Sequence, residues 1–461
     1  MLNDKTVTDK TEDEKNIGEK AAAPEVKLCT RCGRTLPISS FFTRKYESGK
    51  VVPRSECKEC TNAINKKNKI KKRNEKLYGA PPKPDIPAPK YERQYKTINS
   101  KRELDLSKTG LDITLLGTDE TFIKQNDYQD IWLSNYGRVV QLENEQYQLV
   151  QGQYDEITKR LYYILKKNVF RRNKWIFEEE KVYADVAVVK AFVVNTDWHN
   201  NIYIWHCDNA IEDNYYRNLY PLNQNEYEAV QKVFDLTGKV SEKDIANIIE
   251  NKKYKPSGWE AENFTPTVCC IGYIGCSNEK GKSNTTVYKK WRAMLNRCYN
   301  EKIQNRQKTY KCCTVCEEWK NFSNFKEWYE SHNCGDSSLN LDKDILVKGN
   351  KEYGPDNCCI VPEFINTLFT NGKANRGKYP LGVHAEKSNA CGIVYYRAAF
   401  MANQRNIKLG TFKTPEEAFQ KYKEYKEQYI KDTAKRYKDK IPYSVYEAMM
   451  NWKVKIGRAH V

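Results

Sequence analysis

The chain has no apolar run of the ~18 residues that a membrane-spanning helix requires. Its first 20 residues are polar and charged, with none of the apolar stretch of a secretory signal. The first absence excludes a helical membrane protein, and the second points to the cytoplasm. Short-period repeats are also missing, although one motif reads as duplicated at long range. Outside the secretory route, the 16 cysteines face a reducing medium. Paired cysteines there are more often metal ligands than disulfides.

Acidic residues are the other shortage. There are 60 Asp and Glu against 78 Lys and Arg, a net charge of +18. An excess of that size favours a polyanionic partner, because each phosphate contact releases condensed counterions. Hydrophobic residues make up 39% of the 461, enough for several modest cores. At ~100–200 residues per domain this length predicts three or four domains.

Composition shifts divide the chain. Residues 1–24 read as a disordered lead-in. Residues 25–78 hold a cysteine cluster and then a basic helix from Thr61 to Leu77. Residues 79–100 are a linker that opens with five prolines between Gly79 and Pro89. Residues 110–232 read as strand-rich, 233–260 as a short helical connector with Ser241 as N-cap, and 265–372 as mixed helices and strands. Residues 378–455 read as short strands before a long charged helix from Pro415 to about Lys440. The tail 456–461, Ile-Gly-Arg-Ala-His-Val, looks like a translated sequencing adapter and is set aside.

Cys29-Thr-Arg-Cys32 and Cys57-Lys-Glu-Cys60 form a paired C-x2-C pattern. Two such knuckles bring four thiolates to one tetrahedral Zn²⁺, and a shell of four cysteines leaves no open position for water. The expected zinc is therefore structural. The basic helix that follows, with Lys66, Lys67, Lys71, Lys72 and Arg73, would be held rigidly toward a phosphate backbone. The remaining cysteines, Cys313-Thr-Val-Cys316 included, read as small core residues.

The run from Trp205 through His206, Cys207, Asp208, Asn214 and Asn218 to Leu219, with Pro221 and Leu222 before a helix, resembles the phage-type HNH homing-endonuclease motif. Upstream, Ile131-Trp-Leu-Ser-Asn-Tyr-Gly-Arg-Val139 looks like the strand module that precedes such cores. The resemblance implies a ββα-metal core in which His206 deprotonates water, Asn218 orients it, and Asp208 and Asn214 shape the turn. The sequence departs from the pattern at both metal positions. Trp205 and Tyr227 stand where oxygen or imidazole ligands are expected.

A second constellation runs from Leu341-Asp-Lys-Asp-Ile-Leu346 through Gly349-Asn350 to Asn357 and Asn366, and resembles the same family. The interval from Asn357 to Asn366 is nine residues, as is that from Asn218 to Tyr227. Asp342 and Asn366 thus fall at the two positions for a divalent cation, Mg²⁺ or Mn²⁺. Asp344 is a spare acid on the same strand face. Lys343 stands where the base would be, and His332, ten residues before Asp342, is a distant substitute.

The segments Tyr379–Val383, Tyr395–Ala398, Lys408–Phe412 and Pro415–Tyr422 resemble the small DNA-binding domain of the plant ethylene-response-factor type. The resemblance implies a three-stranded sheet in the major groove, with Arg397, Gln404, Arg405 and Lys408 as readers.

The expectation is a multi-domain α+β protein: an N-terminal zinc ribbon or knuckle, two HNH-like cores, and a C-terminal three-stranded sheet plus helix. Its expected function is sequence-targeted binding of double-stranded DNA with metal-dependent cleavage or nicking, in a bacterial host cytoplasm if phage-encoded. The alternative is a non-catalytic DNA-binding descendant of such a nuclease. Neither a membrane nor a small-molecule substrate is expected.

Overall fold

The computed structural model describes residues 25–45, 51–78, 91–254, 263–275, 285–333, 338–369, 379–387, 394–402 and 405–454; for 67, 70–78 and 252 it describes the backbone alone. The expected lead-in, the proline-rich start of the linker, Gln404 and the adapter-like tail lie outside the described residues. The fold is mixed α+β, built from small sheets and helices. The chain forms two compact units, Met1–Lys76 and Leu77–Val461.

In the first unit, β1 (Val26–Leu28) pairs antiparallel with β2 (Thr35–Pro37) around a turn that carries Cys29 and Cys32. Gly33 closes that turn at φ +67°, the left-handed region where a Cβ is costly. A second hairpin joins β3 (Phe41–Lys45) to β4 (Val51–Cys57). Helix α1 (Lys58–Tyr78) follows directly, so Cys60 sits in its first turn. Among the described residues the core is Cys29, Phe41 and Cys57, with Leu36 and Cys60 against them. So small a core needs a staple.

The second unit opens with an antiparallel meander: β5 (Phe122–Lys124), β6 (Ile131–Ser134), β7 (Val139–Glu143) and β8 (Gln146–Leu149). A three-stranded sheet follows, from β9 (Gln153–Tyr154), β10 (Leu161–Arg171) and β11 (Lys174–Tyr183). Helix α2 (Ala184–Phe192) buries Ala184, Val188, Val189 and Phe192 against both sheets.

Next comes a hairpin of β12 (Tyr203–His206) and β13 (Leu219–Leu222), then α3 (Gln224–Thr237) and α4 (Glu242–Glu250). Both helices begin in capping boxes, Asn223 with Glu226 and Ser241 with Asp244. Val240 and Ile245 share a core with Trp205, Tyr220, Leu222 and Val230. The segment read as a connector therefore completes the hairpin's own core.

Four helices, α5 (Thr286–Tyr299), α6 (Glu301–Arg306), α7 (Glu317–Lys320) and α8 (Phe322–His332), surround an aromatic core that holds Trp291, Trp319, Phe322, Phe325 and Tyr329. Cys298, Cys313 and Cys358 are buried there as small hydrophobes. Strand β14 (Thr314–Val315) pairs parallel with β16 (Glu352–Tyr353), and β15 (Asn340–Asp342) pairs antiparallel with β17 (Cys359–Val361), ahead of α9 (Glu363–Phe369).

The chain ends in the sheet β18 (Val383–Lys387), β19 (Val394–Ala402), β20 (Arg405–Phe412), then α10 (Pro415–Arg436) and α11 (Tyr443–Met450). Ile430, Ala434, Val445 and Met449 pack into one core with Cys359, Val361, Ile365 and Phe369. The C-terminal helices thus cover the second hairpin as well as their own sheet. A buried polar seam joins the two halves of this unit: Glu318 accepts from the Asn195 N–H and the Trp198 indole (3.3 Å each), and Asn321 donates to the Thr196 carbonyl (2.9 Å).

Candidate functional site

Cys29, Cys32, Cys57 and Cys60 converge, their sulfur atoms all within 4.8 Å of one another. Tetrahedral Zn–S bonds of ~2.3 Å imply S···S separations of about 3.8 Å, so the cluster can hold a structural metal such as zinc with little adjustment. Backbone N–H groups of Cys32 and Cys57 point at the Cys29 sulfur and lower its thiol to about 6. Burial and the neighbouring thiols push Cys60 up to about 12. Four thiols crowded this way cannot all ionise without a cation among them, and a bound cation would resolve the conflict. Arg34 also donates to the Cys32 sulfur at 3.4 Å and pairs with Glu59, which ties the first knuckle to α1. Among the described residues, no other group of three or more His, Cys, Asp or Glu side chains is close enough to hold a metal.

The first hairpin is a strand–strand–helix element, with His206 at the end of β12 and opposite Leu219. The His206 ring is turned inward and 7% exposed. Its Nδ1 faces the carbonyls of Ala210 and Asp213 at 3.1 Å each, and its Nε2 faces Asp185 Oδ2 at 3.5 Å. Two carbonyl acceptors require a proton on Nδ1. Asp185 also takes a two-pronged bond from Arg160 (2.7 and 2.6 Å). Burial pushes the Asp185 carboxyl up, but the bonds from His206 and Arg160 outweigh it and hold it below the usual range. Asp185 lies in the first turn of α2, and nothing in the local sequence marks it as a histidine partner.

Asn218 closes the loop. Its amide donates to Asp208 Oδ1 (2.7 Å) and the Asp213 carbonyl (2.9 Å) and accepts from the Asp208 N–H (2.9 Å). Gly137, φ +83°, lies so close to this loop that a Cβ would come within 2.7 Å of Asn214 Cβ. That contact explains the glycine in the upstream strand module. Trp205 and Tyr227 meet ring to ring (centroids 5.6 Å apart), with Phe234 at 6.0 Å from Trp205. The face where a cation would sit is an aromatic core.

The second hairpin is built the same way. Asp342 Oδ1 accepts from the Asp344 and Ile345 N–H groups, both at 2.7 Å, and caps its own turn. Burial raises its carboxyl above the ordinary range. Helix α9, which carries the half-exposed Asn366, packs against β15. Lys343 is buried, and its ammonium donates to Asp344 (2.7 Å) and the Asn350 carbonyl (2.8 Å). Burial alone would lower its pKa, but the Asp344 bond and charge keep it above the ordinary value, so it stays an ammonium and cannot act as a base. Asn357 occupies the place of Asn218, yet its buried Oδ1 has no hydrogen-bond partner. His332 reaches away from Asp342: its ring stacks on Trp328 and its Nε2 meets Asp127 at 3.0 Å.

In the C-terminal sheet, Ala398, Phe400 and Ala402 face α10. Arg397 pairs with His384 and Thr411, and Ala399 with Lys408, so Arg397 and Lys408 share the opposite face. Arg397 is bridged to Glu386. A bulge at Ala398/Ala399 sets this register, and Arg405, opposite Ala402, falls at the hairpin tip on the helix side. On α1, Lys66 is exposed; Lys67, Lys71, Lys72 and Arg73 lie on the helix, with side chains outside the described residues. Among the described residues, no helix is long and apolar enough to cross a membrane.

Searches against protein-family models, curated proteins and solved structures find no match for this chain.

Proposed function

We propose that the protein is a sequence-targeted binder of double-stranded DNA, descended from HNH-type homing nucleases and stapled at its N-terminus by one structural Zn²⁺. The observation that carries this reading is the C-terminal sheet. Its face away from α10 presents Arg397 and Lys408 from adjoining strands. Arg397 is oriented by Glu386, as a base-reading guanidinium must be. The net charge of +18 supplies the non-specific attraction that brings such a face to a duplex. Cys29, Cys32, Cys57 and Cys60 hold the zinc that fixes the start of the basic helix.

The first hairpin serves this protein as a structural module, since His206 is spent on internal bonds and aromatic rings fill the cation face. A second reading keeps cleavage or nicking. Asp342 and Asn366 lie on packed elements, β15 and α9, in the strand-then-helix order that a Mg²⁺ or Mn²⁺ site needs. Asp344 and Asn357 flank it.

Fluorescence anisotropy on duplex DNA tests the binding. Arg397→Ala should cost about 1–3 kcal/mol on the preferred sequence and relax specificity, whereas Lys408→Ala should weaken all sequences alike. Equal affinity of both variants and the parent would sink the reading. Metal analysis should find one zinc per chain, lost in Cys57→Ala.

A further inference from the structure

The ribbon of β10 and β11 carries its charges in two ways along its length. In the shaft, opposite signs face each other across the strands. Lys166 pairs with Glu179 and Lys167 with Glu178, and the Lys167 ammonium also meets Glu180 at 2.8 Å. Such pairs stabilise a ladder. At the tip the pattern reverses. Arg171 stands directly opposite Lys174, and like charges placed so repel.

The turn between them adds to the cost. It is two residues long, Arg172 and Asn173, both in the left-handed region at φ +48° and +63°. Two-residue hairpin turns with positive φ favour Asn, Asp or Gly, and an arginine is strained there. The arginine keeps a guanidinium at the extreme end of the ribbon in spite of that strain.

A tertiary contact gathers more charge at the same place. The Lys440 ammonium donates to the Asn173 carbonyl at 2.9 Å, across 267 residues of sequence. Lys438 lies in the same 3₁₀ turn, Lys438–Lys440. Arg171, Arg172, Lys174, Lys438 and Lys440 are all exposed. The neighbouring acids are Glu178, 3.6 Å from Arg171, and the exposed Asp439. Among the described residues, no carboxylate bridges Arg172, Lys174, Lys438 or Lys440. Self-repulsion of this kind destabilises the free protein, and a polyanion relieves it.

We propose that this ribbon tip is a second contact with the sugar–phosphate backbone of duplex DNA, separate from the C-terminal sheet. The proposal rests on the reading that the protein binds duplex DNA. A guanidinium takes phosphate oxygens two at a time, and an ammonium takes them as a point charge. The rings nearest the tip, Phe170 and Trp175, pack on each other (centroids 5.7 Å apart), so the tip offers a membrane no aromatic anchor. Contacts to phosphate position a protein on the duplex without reading its sequence.

The test is fluorescence anisotropy of the full-length protein over a range of salt, on two labelled duplexes, one of A·T pairs and one of G·C pairs. Arg172→Asn and Lys174→Gln are made singly and together. Each should lower the slope of log affinity against log salt by about 0.9, and the double variant by about 1.8. At 0.1 M salt that is a loss of about eightfold for each substitution, the same on both duplexes. Asparagine tolerates the left-handed turn and glutamine removes the like charge, so the urea midpoint of each variant should equal or exceed the parent's. An unchanged salt slope in the double variant would overturn the proposal. A lower urea midpoint would show that these charges serve the fold, and unequal losses on the two duplexes would show base reading; either overturns it too. Loss of binding to phosphatidylserine vesicles with duplex affinity intact would assign the tip to a membrane instead. A parent chain with no duplex affinity would remove the DNA reading and this contact together. A parent that binds, with tip variants that bind alike, removes only the contact.

Discussion

The two hairpin–helix elements, Tyr203–Thr237 and Asn340–Phe369, share an outline and differ in what they leave unsatisfied. In the first, the loop polar groups are matched, His206 by two carbonyls and Asp185 and Asn218 by Asp208 and Asp213, and the buried atom left without a partner is the Trp205 indole N–H on the strand. Its cation face is filled by Trp205, Tyr227 and Phe234. In the second, a lysine ammonium replaces the imidazole, and Asn357 keeps an unpaired oxygen beside a cavity. The first hairpin spends its histidine and asparagine on internal bonds. The second pairs its lysine but leaves an asparagine oxygen unmet. The same backbone plan thus tolerates two different ways of satisfying its loop.

The largest expected effect breaks the first network. His206→Ala would remove the imidazole from the Ala210 and Asp213 carbonyls and from Asp185, three contacts in a buried site, although each of these groups keeps a second partner (the Asp213 N–H, Asn218 and Arg160 respectively). It should lower stability by about 3 kcal/mol, seen as an earlier urea midpoint. Arg160, still held to Asp185, should become more exposed to exchange. A loss under about 1 kcal/mol would mean that the imidazole is not a structural pin.

A pair of substitutions sharpens the contrast. Asn218→Ala removes two donated bonds and one accepted bond and should cost about 2 kcal/mol. Asn357→Ala removes an oxygen that has no partner and should cost under about 0.5 kcal/mol. Equal costs would mean that the two asparagines play the same part and that the difference between the hairpins is superficial.

Asp342 tests the second reading. Asp342→Ala loses an acceptor for two backbone N–H groups and should cost about 1 kcal/mol, as a lost cap does. Asp342→Asn keeps an acceptor and should recover most of that. If the protein nicks plasmid DNA with Mg²⁺ or Mn²⁺, both variants should abolish nicking and leave duplex affinity unchanged, and His206→Gln should not. The opposite pattern would exchange the roles of the two hairpins.

Much of this arrangement is legible in local sequence. The paired C-x2-C spacing places four sulfurs together, because short turns fix both halves. The strand-then-helix order of both hairpins follows the spacing from His206 to Leu222 and from Asp342 to Asn366, whereas the register, His206 with Leu219 and Asp342 with Cys359, is fixed only by the fold. The Ser241 cap is equally local. What escapes is set by contacts distant in sequence or by a one-residue slip. Asp185 lies 21 residues before its histidine. The bulge at Ala398/Ala399 brings Lys408 onto the face of Arg397 and turns Arg405 to the other, and its only local mark is Gly410 at φ +140°. The cavity draws its lining from segments more than 200 residues apart, such as Lys96 and Asn357.

The smallest effect concerns the histidine that the second hairpin does not use. His332 meets Asp127 at 3.0 Å, the imidazole about a fifth exposed and the carboxylate nearly half. Burial pulls the His332 pKa down, but the Asp127 charge and hydrogen bond outweigh it and leave it above the ordinary value. Burial pushes Asp127 up, and His332 outweighs that in turn and holds it below the ordinary carboxylate range. The signs then define a window. A raised histidine contributes stability that is fully present below its unfolded pKa, about 6.5, and is lost as pH rises through the folded value. A lowered aspartate contributes stability present above its unfolded pKa, about 3.9, and lost as pH falls through the folded value. The pair should therefore be worth most between about pH 4 and 6.5, and under about 1 kcal/mol even there, because solvent screens the exposed carboxylate. His332→Gln should flatten the fall in stability above pH 6.5 in urea titrations and leave any metal-dependent nicking untouched. Loss of nicking in that variant would return His332 to the second hairpin as its missing base.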